Sequence, residues 1–574
     1  MASSTDGARW IEPSPVPRGA VNELRRALDL PPEICELLIR RGHDRPERAR
    51  RFLRPSFDQL HDPRELPDFG AAADRLAEAT ALGKTVLVHG DFDVDGLSAA
   101  ALLARSLEEL GADARAFVPH RTRDGYDFGD AGLERAREVG AELVVTADCG
   151  VSAAETVERA AEAGLEVVIT DHHRPPGRLP DAAAVVNPRR TDAAYPFRDL
   201  SGAGVAWKLL RGVWERLGRE PRELNRHLDL VALGTVADVV PLVDENRVLV
   251  RGGLRVLERS RKPGIRALME TAEVEGDVDT ESVSYRLAPR LNAVGRIGEA
   301  EAGLRLLLTR DPDEARRLAR RLERRNRERR EEDRRVEREA ERSLEERFDP
   351  EADRSVVLWG EGWHPGVLGI VASRISERLH RPAVVVGLED DRGRGSGRSV
   401  SGFHLHRALE RCAPLLERYG GHRGAAGLEI RRENLEPFAE RLEELARREL
   451  EPEELAPELR LDLALSPSRA DESMLRGLRH LAPFGRGNER PLLLARGVAI
   501  RSPSRVGRDG SHLRGELAGS DGGRLGAIGF GLGARADEVA GGGRWDVAYE
   551  LVEDRWRGRR RLQARLRDLR PAAG

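Results

Sequence analysis

The sequence predicts an α/β protein in which a parallel-sheet domain is joined by a long helix to a second α/β domain and a C-terminal β-barrel. Three observations predict it. Short apolar runs alternate with amphipathic segments from Lys84 to about residue 170, one long segment is almost wholly charged, and short Gly-punctuated strands follow from about residue 454. Such alternation is typical of a parallel sheet with helices on both faces, and such short strands are typical of a small barrel.

These patterns divide the chain into five predicted segments. They are an N-terminal extension over 1–75, a catalytic α/β domain over 76–310, a connecting helix over 311–350, a second α/β domain over 351–453 and a barrel over 454–574. The formal net charge of -3 gives no overall basic excess, so any surface for nucleic acid must be local. The three scattered cysteines exclude a disulfide framework or thiolate zinc site, and no apolar run approaches about 18 residues. We therefore expect a soluble cytoplasmic protein without membrane association.

Polar side chains follow the predicted strands of the catalytic domain. The strands are "KTVLVHG", "ELVVTADCG" and "LEVVITDHH", and a further acid interrupts the helical run "VALGTVADVVPL". In open parallel sheets, ligands gather at the carboxyl ends of the strands, so we expect these residues to lie together. They are His89, Asp91, Asp93 and Asp95, then Asp148, then Asp171, His172 and His173, and lastly Asp238.

This group of carboxylates and imidazoles predicts a site for two divalent cations. Unpaired carboxylates at short range repel one another, and cations remove that repulsion. Oxygen and imidazole ligands without thiolate suit Mn²⁺ or Mg²⁺, and a shared carboxylate suits a two-metal hydrolytic centre. An EF-hand calcium loop is excluded, because the twelfth residue from Asp91 is Leu102 instead of Glu.

The charged segment from Asp313 to Phe348 predicts one long helix. Its thin apolar stripe would let it pack along one side, and 36 residues at 1.5 Å each would span about 54 Å. We interpret it as a solvated helix carrying ion pairs, while a nucleic-acid contact along its arginines stays open.

Two later regions predict contacts with phosphates. "YGGHRGAAG" places Gly420 and Gly421 beside His422, and "GSGRSVSG" supplies Ser396, Arg398 and Ser399. Together they suggest an anion pocket, with a tight turn as the alternative for the glycines. Trp363 and His364 either contact the strand or are packed. The barrel carries basic residues around an aromatic, which suits single-stranded nucleic acid: Arg501, Arg505, Arg508, Arg514, Arg555, Trp556, Arg557, Arg559, Arg560 and Arg561.

The motifs "HGDFDVDG", "TADCG", "DHH" and "GTVADVVPL" resemble the four ordered motifs of the DHH phosphoesterase superfamily. "LSGAGVAWKLL", "PRLNAVGRI", "WHPGVLGIVASRI", "GSGRSVSGF", "YGGHRGAAGL" and "LAPFGRGNERPLL" are similar to its bacterial 5′→3′ exonucleases specific for single-stranded DNA, the last fitting the start of their OB-fold. One departure is Cys149, where the family usually has Asn.

The resemblance implies a role for each site residue. One ion would be held by His89, Asp93 and Asp148, and the other by Asp95, Asp148, His172 and Asp238. Asp91 would bind metal or orient the attacking water, and His173 would contact the scissile phosphate. Arg296 is a phosphate candidate, with a structural salt bridge as its alternative. The second α/β domain would grip the 5′-terminal phosphate or the neighbouring backbone.

The implied activity is metal-dependent 5′→3′ hydrolysis of single-stranded DNA to nucleoside 5′-monophosphates, in recombination and repair. We expect a monomer, with a helicase and a single-strand-binding protein as candidate partners. One alternative is a DHH phosphoesterase acting on short oligoribonucleotides or nucleotide phosphates, against which the barrel and the length argue. The other is an inactive scaffold that binds single strands, against which the four complete metal motifs argue.

Overall fold

The computed structural model describes residues 8–120, 123–125, 127–296, 300–554 and 560–572. It divides into two compact units. We call Arg54–Arg329 with Ala482–Glu489 the sheet unit, and the remainder, Met1–Leu53, Arg330–Leu481 and Arg490–Gly574, the barrel unit. Among the described residues, no helix has both the length and the apolar character needed to cross a membrane.

The strands are numbered in chain order. They are β1 Arg9–Ile11, β2 Thr85–Gly90, β3 Asp113–Phe117, β4 Leu143–Ala147, β5 Glu166–Thr170, β6 Ala184–Val186, β7 Val356–Glu361, β8 Ala383–Glu389, β9 Arg392–Arg398, β10 Leu416–Gly421, β11 Ala425–Arg431, β12 Glu458–Arg460, β13 Leu463–Ala464, β14 Leu493–Val506, β15 His512–Ala518, β16 Arg524–Gly529, β17 Trp545–Asp554 and β18 Arg561–Pro571.

The helices are numbered in the same way, and a π-helical turn at Val283–Leu287 joins α12 to α13. They are α1 Arg18–Leu28, α2 Pro32–Arg40, α3 Pro46–Leu53, α4 Phe69–Ala81, α5 Val94–Leu110, α6 Asp130–Glu138, α7 Ala154–Glu162, α8 Gly202–Arg216, α9 Leu228–Ala237, α10 Asp244–Glu258, α11 Pro263–Thr271, α12 Thr280–Ser282, α13 Ala288–Arg296, α14 Ala300–Leu308, α15 Pro312–Arg347, α16 Pro365–Leu379, α17 Leu405–Arg411, α18 Leu435–Glu449, α19 Glu472–His480 and α20 Ala536–Ala540.

The sheet unit is built on five parallel strands in the order β3-β2-β4-β5-β6. Strands β2 and β4 are buried almost throughout, because helices cover both faces, which confirms the predicted parallel sheet. The chain winds outward in one direction from β2 to β3 and in the other from β2 through β4. This reversal opens a crevice at the carboxyl ends of β2 and β4, where such folds bind ligands.

Helix α15 begins at Pro312 and ends at Arg347, as predicted within a few residues. Its first part carries Leu318 and Leu322 in the core of the sheet unit. Its last part carries Val336, Ala340 and Leu344, which pack with β7 and α16 in the barrel unit. Pairs such as Arg325–Glu328 at 2.8 Å and Arg335–Glu332 at 2.7 Å run along its surface, in agreement with a solvated helix stabilised by ion pairs.

The barrel unit contains a mixed sheet and a closed barrel. The mixed sheet has the order β10-β11-β9-β8-β7, with β7 and β8 parallel and the other pairs antiparallel. The barrel has the order β14-β15-β16-β18-β17, and β14 pairs again with β17 to close it. This 1-2-3-5-4-1 arrangement is that of an OB-fold. The predicted C-terminal barrel is therefore confirmed.

The residues at which the chain passes from one unit to the other differ from the predicted domain boundaries. Residues up to Leu53 belong to the barrel unit, where β1 pairs with β12. Gly477 of α19 also packs closely on Ile34 of α2, since a Cβ on Gly477 would lie 2.6 Å from Ile34 Cγ1. The predicted extension over 1–75 is thus split, because the chain from Arg54 onward packs in the sheet unit. Likewise, Ala482–Glu489, which we expected to begin the barrel, belongs to the sheet unit.

Candidate metal centre

The predicted site residues meet at one edge of the parallel sheet. Asp91 follows β2, Asp148 follows β4, and Asp171 to His173 follow β5. The register aligns these ends, since Gly90 of β2 lies beside Ala147 of β4 and Asp148 N–H donates to Thr170 O at 3.0 Å. Parallel strands in register place their following residues on a common rim, which is why a motif pattern in sequence becomes a cluster in space.

Helix starts hold two of the carboxylates. Asp93 caps α5 by accepting hydrogen bonds from the backbone N–H of Asp95 at 2.9 Å and of Gly96 at 3.0 Å. Asp95, in the first turn of α5, accepts from Gly202 N–H at 2.6 Å and Ala203 N–H at 3.0 Å, at the start of α8. Backbone N–H groups at helix N-termini favour negative charge and fix both carboxylates in place. These N–H groups carry only partial positive charge, so most of the negative charge of the two carboxylates is not neutralised.

Two glycines make room for the cluster. A Cβ at position 202 would lie 2.5 Å from Asp148 Oδ1, and one at position 234 would lie 2.2 Å from Asp95 Oδ1. These helices can approach the carboxylates only because they present hydrogen atoms there. Both glycines stand in motifs quoted above, but the sequence alone did not assign them to the site. The requirement for glycine becomes visible only when α8 and α9 are seen packed against Asp148 and Asp95.

The described residues provide three sets of candidate ligands, each with donor atoms within 4.8 Å of one another. Asp148 occurs in two sets and so does His172. The backbone of Asp148 has a φ of 67°, a left-handed conformation that costs energy for a residue other than glycine and is typical of functional sites. The sets are Asp91, Asp93 and Asp148; Asp95, His172 and Asp238; and Asp148, His172 and His173.

His172 stands at the centre of the cluster. Its Nε2 lies 3.0 Å from an Asp148 oxygen, 3.6 Å from an Asp238 oxygen and 3.9 Å from an Asp95 oxygen. Nevertheless its Nε2, its Nδ1 and Asp148 Oδ1 are buried and have no hydrogen-bond partner among the described residues. Orphaned buried donors and acceptors that converge on one point are costly unless a further group satisfies them.

Asp171, the first residue of the "DHH" motif, orients the others. Its Oδ1 accepts hydrogen bonds from the backbone N–H of His172 at 2.7 Å and of His173 at 2.9 Å, and lies 2.8 Å from His173 Nδ1. Its Oδ2 accepts from Val151 N–H at 3.0 Å. Asp171 therefore lies behind the cluster and fixes the His173 ring, and belongs to none of the three ligand sets.

Burial and mutual repulsion strongly perturb the acids. Burial, followed by the charge of Asp238, raises the pKa of Asp95 to about 7. Burial, followed by the charge of Asp93, raises the pKa of Asp238 to about 7, and burial together with Asp95 raises the pKa of Asp148 well above its usual value. Cations bound among these groups would remove both causes, because they supply the missing positive charge.

The histidines separate into two classes. Burial lowers the pKa of His89 to about 4 and also lowers the pKa of His172, so both rings are neutral at pH 7, the form that binds metal. Although burial opposes its charged form, the hydrogen bond and charge of Asp171 raise the pKa of His173 to about 9. His173 is therefore a cation at pH 7.

The expected role of His89 as a ligand beside Asp93 and Asp148 stays a prediction. His89 belongs to none of the three sets, and Asp91 stands with Asp93 and Asp148 in one of them. The His89 ring packs between Phe117 and Phe128, at centroid distances of 5.6 and 5.2 Å, and its Nδ1 lies 3.6 Å from Cys149 Sγ. Its buried Nε2 has no hydrogen-bond partner in the described part of the chain.

The predicted phosphate-binding residues lie in the barrel unit. Arg398 donates to Ser396 Oγ at 3.2 Å, and both side chains approach Gly369 in α16. Ser399 Oγ donates to Phe403 O at 3.0 Å instead of facing them. Gly420 and Gly421 end β10 before His422, and Gly421, with a φ of 136°, requires glycine because a Cβ would lie 2.5 Å from Ala425 O. The turn alternative thus accounts for Gly421.

Several other predicted contacts are resolved or fall outside the described residues. Trp363 is buried and donates its indole N–H to Glu339 at 2.7 Å, so it is packed, while His364 caps α16 through Gly366 N–H at 3.0 Å. The Arg296 side chain lies outside the described part. So do Arg555, Trp556, Arg557 and Arg559.

The donors present fit two divalent cations of the hard, oxygen-preferring kind. Five aspartates and the neutral His172 supply oxygen and imidazole ligands, and no cysteine belongs to any of the sets. Mn²⁺ and Mg²⁺ prefer such ligands, whereas structural zinc sites use thiolates more often. The unpartnered atoms of Asp148 and His172 are the observation that calls for cations.

Comparison with known protein families matches three regions of the chain. The model of the DHH family N-terminal domain matches residues 85–235, that of the DHHA1 domain matches residues 353–448, and that of the RecJ OB domain matches residues 461–568.

Curated relatives and solved structures agree with these matches. The single-stranded-DNA-specific exonuclease RecJ of Thermus thermophilus is 38% identical over 567 residues, covering 98% of this chain and 79% of the relative. RecJ of Bacillus subtilis is 34% identical over 552 residues, covering 96% and 69%. The crystal structure of Thermus thermophilus RecJ in complex with Mn²⁺ matches with a TM-score of 0.84 and 35% identity, covering 99% of this chain and 80% of that chain. The corresponding Mg²⁺ complex matches with a TM-score of 0.78 and 33% identity, covering 99% and 79%.

Proposed function

Because the chain belongs to the RecJ family of single-stranded-DNA-specific exonucleases, we propose that it hydrolyses single-stranded DNA from the 5′ end with two divalent cations. The products are nucleoside 5′-monophosphates, and the process served is DNA recombination and repair. One observation carries the proposal: buried, unpartnered ligand atoms of Asp148 and His172 converge within three overlapping sets of metal ligands.

Asp148 is the carboxylate best suited to bridge the two ions. One ion would be held by Asp91, Asp93 and Asp148, with the neutral His89 beside them. The other would be held by Asp95, His172 and Asp238, with Asp148 shared. Mn²⁺ or Mg²⁺ bound there would lower the pKa of a water and neutralise the charge that develops on the phosphoryl oxygens.

His173 supplies the protein's own positive charge at the reacting phosphate. Asp171 fixes its Nδ1 and keeps the ring protonated, which leaves Nε2 as the donor for a phosphoryl oxygen. A charge-assisted hydrogen bond from a fixed ring stabilises developing negative charge without reorganisation. Asp171 thereby acts through His173 as a positioning residue.

The phosphate-binding residues of the barrel unit hold the strand. Ser396 and Arg398, in contact with each other beside Gly369, are proposed to bind the 5′-terminal phosphate or the neighbouring backbone together with Ser399 and His422. Gly420 and Gly421 shape the turn that presents His422. Arg296, on α13, is proposed as a further phosphate contact.

The barrel binds the single strand on the face formed by its second and third strands, as OB-folds do. Register places Arg514 of β15 beside Ile528 of β16, and Ile528 beside Arg565 of β18. Phe530, just after β16, is 42% exposed and meets His512 edge-on at 5.1 Å. The exposed Arg514 suits a phosphate and the exposed Phe530 ring suits a stacked base, whereas Arg565 is half-buried and pairs with Glu550 at 3.6 Å.

The finer expectations also remain proposals. The five segments 1–75, 76–310, 311–350, 351–453 and 454–574 are proposed as the domain limits, and the family models match 85–235, 353–448 and 461–568 within three of them. The monomeric state and the helicase and single-strand-binding protein partners rest on the family resemblance, and the cytoplasmic location rests on the composition of the sequence.

End-labelled DNA tests the proposal. Purified protein is incubated with matched single-stranded and double-stranded DNA, labelled at either end, and with short oligoribonucleotides, in Mn²⁺, Mg²⁺ or chelator. We expect metal-dependent release of mononucleotides from the 5′ end of single-stranded DNA alone. Inactivity on single-stranded DNA with both metals would refute the proposal, and preference for short oligoribonucleotides would favour the alternative phosphoesterase.

A further inference from the structure

The segment Ala482–Glu489, between α19 and β14, is bound into the sheet unit by an extensive set of hydrogen bonds. Backbone carbonyls of this segment accept most of them, and buried or half-buried side chains donate. The bonds are Arg247 Nη2 to Ala482 O at 2.9 Å, Arg251 Nη1 to Ala482 O at 3.1 Å, Thr280 Oγ1 to Phe484 O at 2.6 Å, Leu242 N–H to Arg486 O at 2.7 Å and, within the segment, Asn488 Nδ2 to Pro483 O at 2.7 Å.

Glycines on either side of Arg486 let the segment press against the chain that follows Asp238. A Cβ on Gly485 would lie 2.7 Å from Leu242 Cδ1, and Gly487 has a φ of 76° with its Cβ position 3.3 Å from Val243 Cγ1. Larger residues would push the segment away. The backbone of Arg486 is therefore held against Leu242, four residues after a proposed metal ligand.

Arg486 places a positive charge beside the metal centre. Its side chain is exposed, and its charge, like that of Arg189, opposes the rise in the pKa of Asp238. Arg189 is committed elsewhere, because it pairs with Asp199 at 2.8 Å. Among the described residues, the guanidinium of Arg486 has no ion pair and no hydrogen bond.

We propose that Arg486 binds a backbone phosphate of the DNA strand at the metal centre. The inference rests on the proposed function and adds a phosphate-positioning residue that reaches the catalytic domain from the C-terminal part of the sequence. An exposed, uncommitted guanidinium near the partly exposed Asp238 has the charge and the fork of donors that recognise phosphate. When cations neutralise the carboxylates of the metal centre, the anion left for Arg486 to bind is a phosphate of the nucleic-acid substrate.

Three variants test the contact in the full-length protein. Arg486→Ala removes the charge, and Arg486→Lys keeps it. Arg259→Ala is the matched control, because Arg259 is an exposed arginine of the same unit beyond the far end of α10, about 22 Å along that helix. Steady-state kinetics on single-stranded DNA are measured at several salt concentrations, with melting temperature and Mn²⁺ affinity as checks on folding and on the metal centre.

We expect Arg486→Ala to lower kcat/KM about tenfold, mainly through KM. Loss of one phosphate contact should also reduce the slope of log kcat/KM against log salt concentration by about 0.7. Arg486→Lys should keep the slope, and Arg259→Ala should match the wild type. One neutral methylphosphonate linkage is then moved along the substrate, and at the contacted position the wild type should fall to the level of Arg486→Ala.

Unchanged kinetics and salt slope in Arg486→Ala would overturn the inference. So would a loss of melting temperature or Mn²⁺ affinity with the slope unchanged, since Arg486 would then serve the fold or Asp238. A wild type without activity on single-stranded DNA would instead refute the proposed function itself, so the two failures are distinguishable.

Discussion

Metal binding should depend steeply on pH, because three of the proposed ligands, Asp95, Asp148 and Asp238, have raised pKa values in the ion-free protein. In the ion-free protein, Asp95 and Asp238 each have a pKa of about 7. Both must lose their protons before they can bind a cation. At pH 6 each is about nine-tenths protonated and at pH 8 about one-tenth protonated, so the product of the deprotonated fractions changes about 100-fold, or by about 2.7 kcal/mol.

We therefore expect the affinity for Mn²⁺ to be at least about 100-fold weaker at pH 6 than at pH 8, because the raised pKa of Asp148 adds to the change from Asp95 and Asp238. The histidines add little to this change, because His89 has a pKa of about 4 and the pKa of His172 is also lowered. Isothermal titration calorimetry in buffers of different ionisation enthalpy measures both the affinity and the protons released. More protons should be released at pH 6 than at pH 8.

The same shifts fix the sign of a stability effect. Because folding raises these pKa values, the ion-free protein holds the protons more tightly than the unfolded chain does and loses stability as pH rises from about 4 to about 7. Added Mn²⁺ should therefore raise the melting temperature more at pH 8 than at pH 6. Asp238→Asn should reduce the pH dependence of affinity by at least about tenfold, since it removes one titrating carboxyl and the charge that helps to raise the pKa of Asp95. Equal affinity at both pH values, with no proton release, would refute the reasoning.

The remaining predictions concern single changes. Asp148→Ala should abolish hydrolysis while single-strand binding persists, measured by fluorescence anisotropy, and substantial remaining activity would contradict the bridging role. Gly202→Ala should weaken Mn²⁺ binding about 10–100-fold, because its Cβ would lie 2.5 Å from Asp148 Oδ1; an unchanged affinity would show that the helix start can yield. Phe530→Ala should weaken strand binding by about 1–3 kcal/mol, whereas Leu82→Ala, which also removes an exposed apolar side chain, should not, and equal effects would argue against stacking. Removal of residues from 454 onward should weaken strand binding and reduce the slope of log affinity against log salt concentration, because phosphate contacts are lost. An unchanged affinity would show that the barrel does not bind the strand.

The sequence predicts the catalytic sheet well because its signals are local. The run from Thr85 to Gly90 is short and largely apolar and is followed by a helix start at Asp93, and similar short apolar runs precede Asp148 and Asp171. Parallel pairing then brings the strand ends together without further information, so the residue pattern alone is enough to group the metal ligands. The barrel follows in the same way from short strands separated by glycines.

Features that depend on long-range packing could not be predicted. The pairing of Arg9 with Glu458 joins residues 449 positions apart, and neither segment carries a local signal for the other. The packing of the His89 ring against Phe117 and Phe128 likewise depends on residues that are distant in the sequence. The demand for glycine at position 234 arises only when α9 meets Asp95.

The connectivity of the chain has a consequence for how such enzymes are dissected. The polypeptide passes between the two units after Leu53, Arg329, Leu481 and Glu489, so neither unit is one continuous stretch. A fragment that ends before the barrel lacks Ala482–Glu489 and exposes the backbone N–H of Leu242, which that segment satisfies. It also releases Arg247, which is only 3% exposed, from the carbonyls of Ala482 and Pro483. Hydrogen bonds lost from a buried cation cost more than a lost surface contact. Weak activity in such a fragment would therefore reflect both the missing barrel and an altered rim beside Asp238, and only a point variant such as Arg486→Ala separates the two.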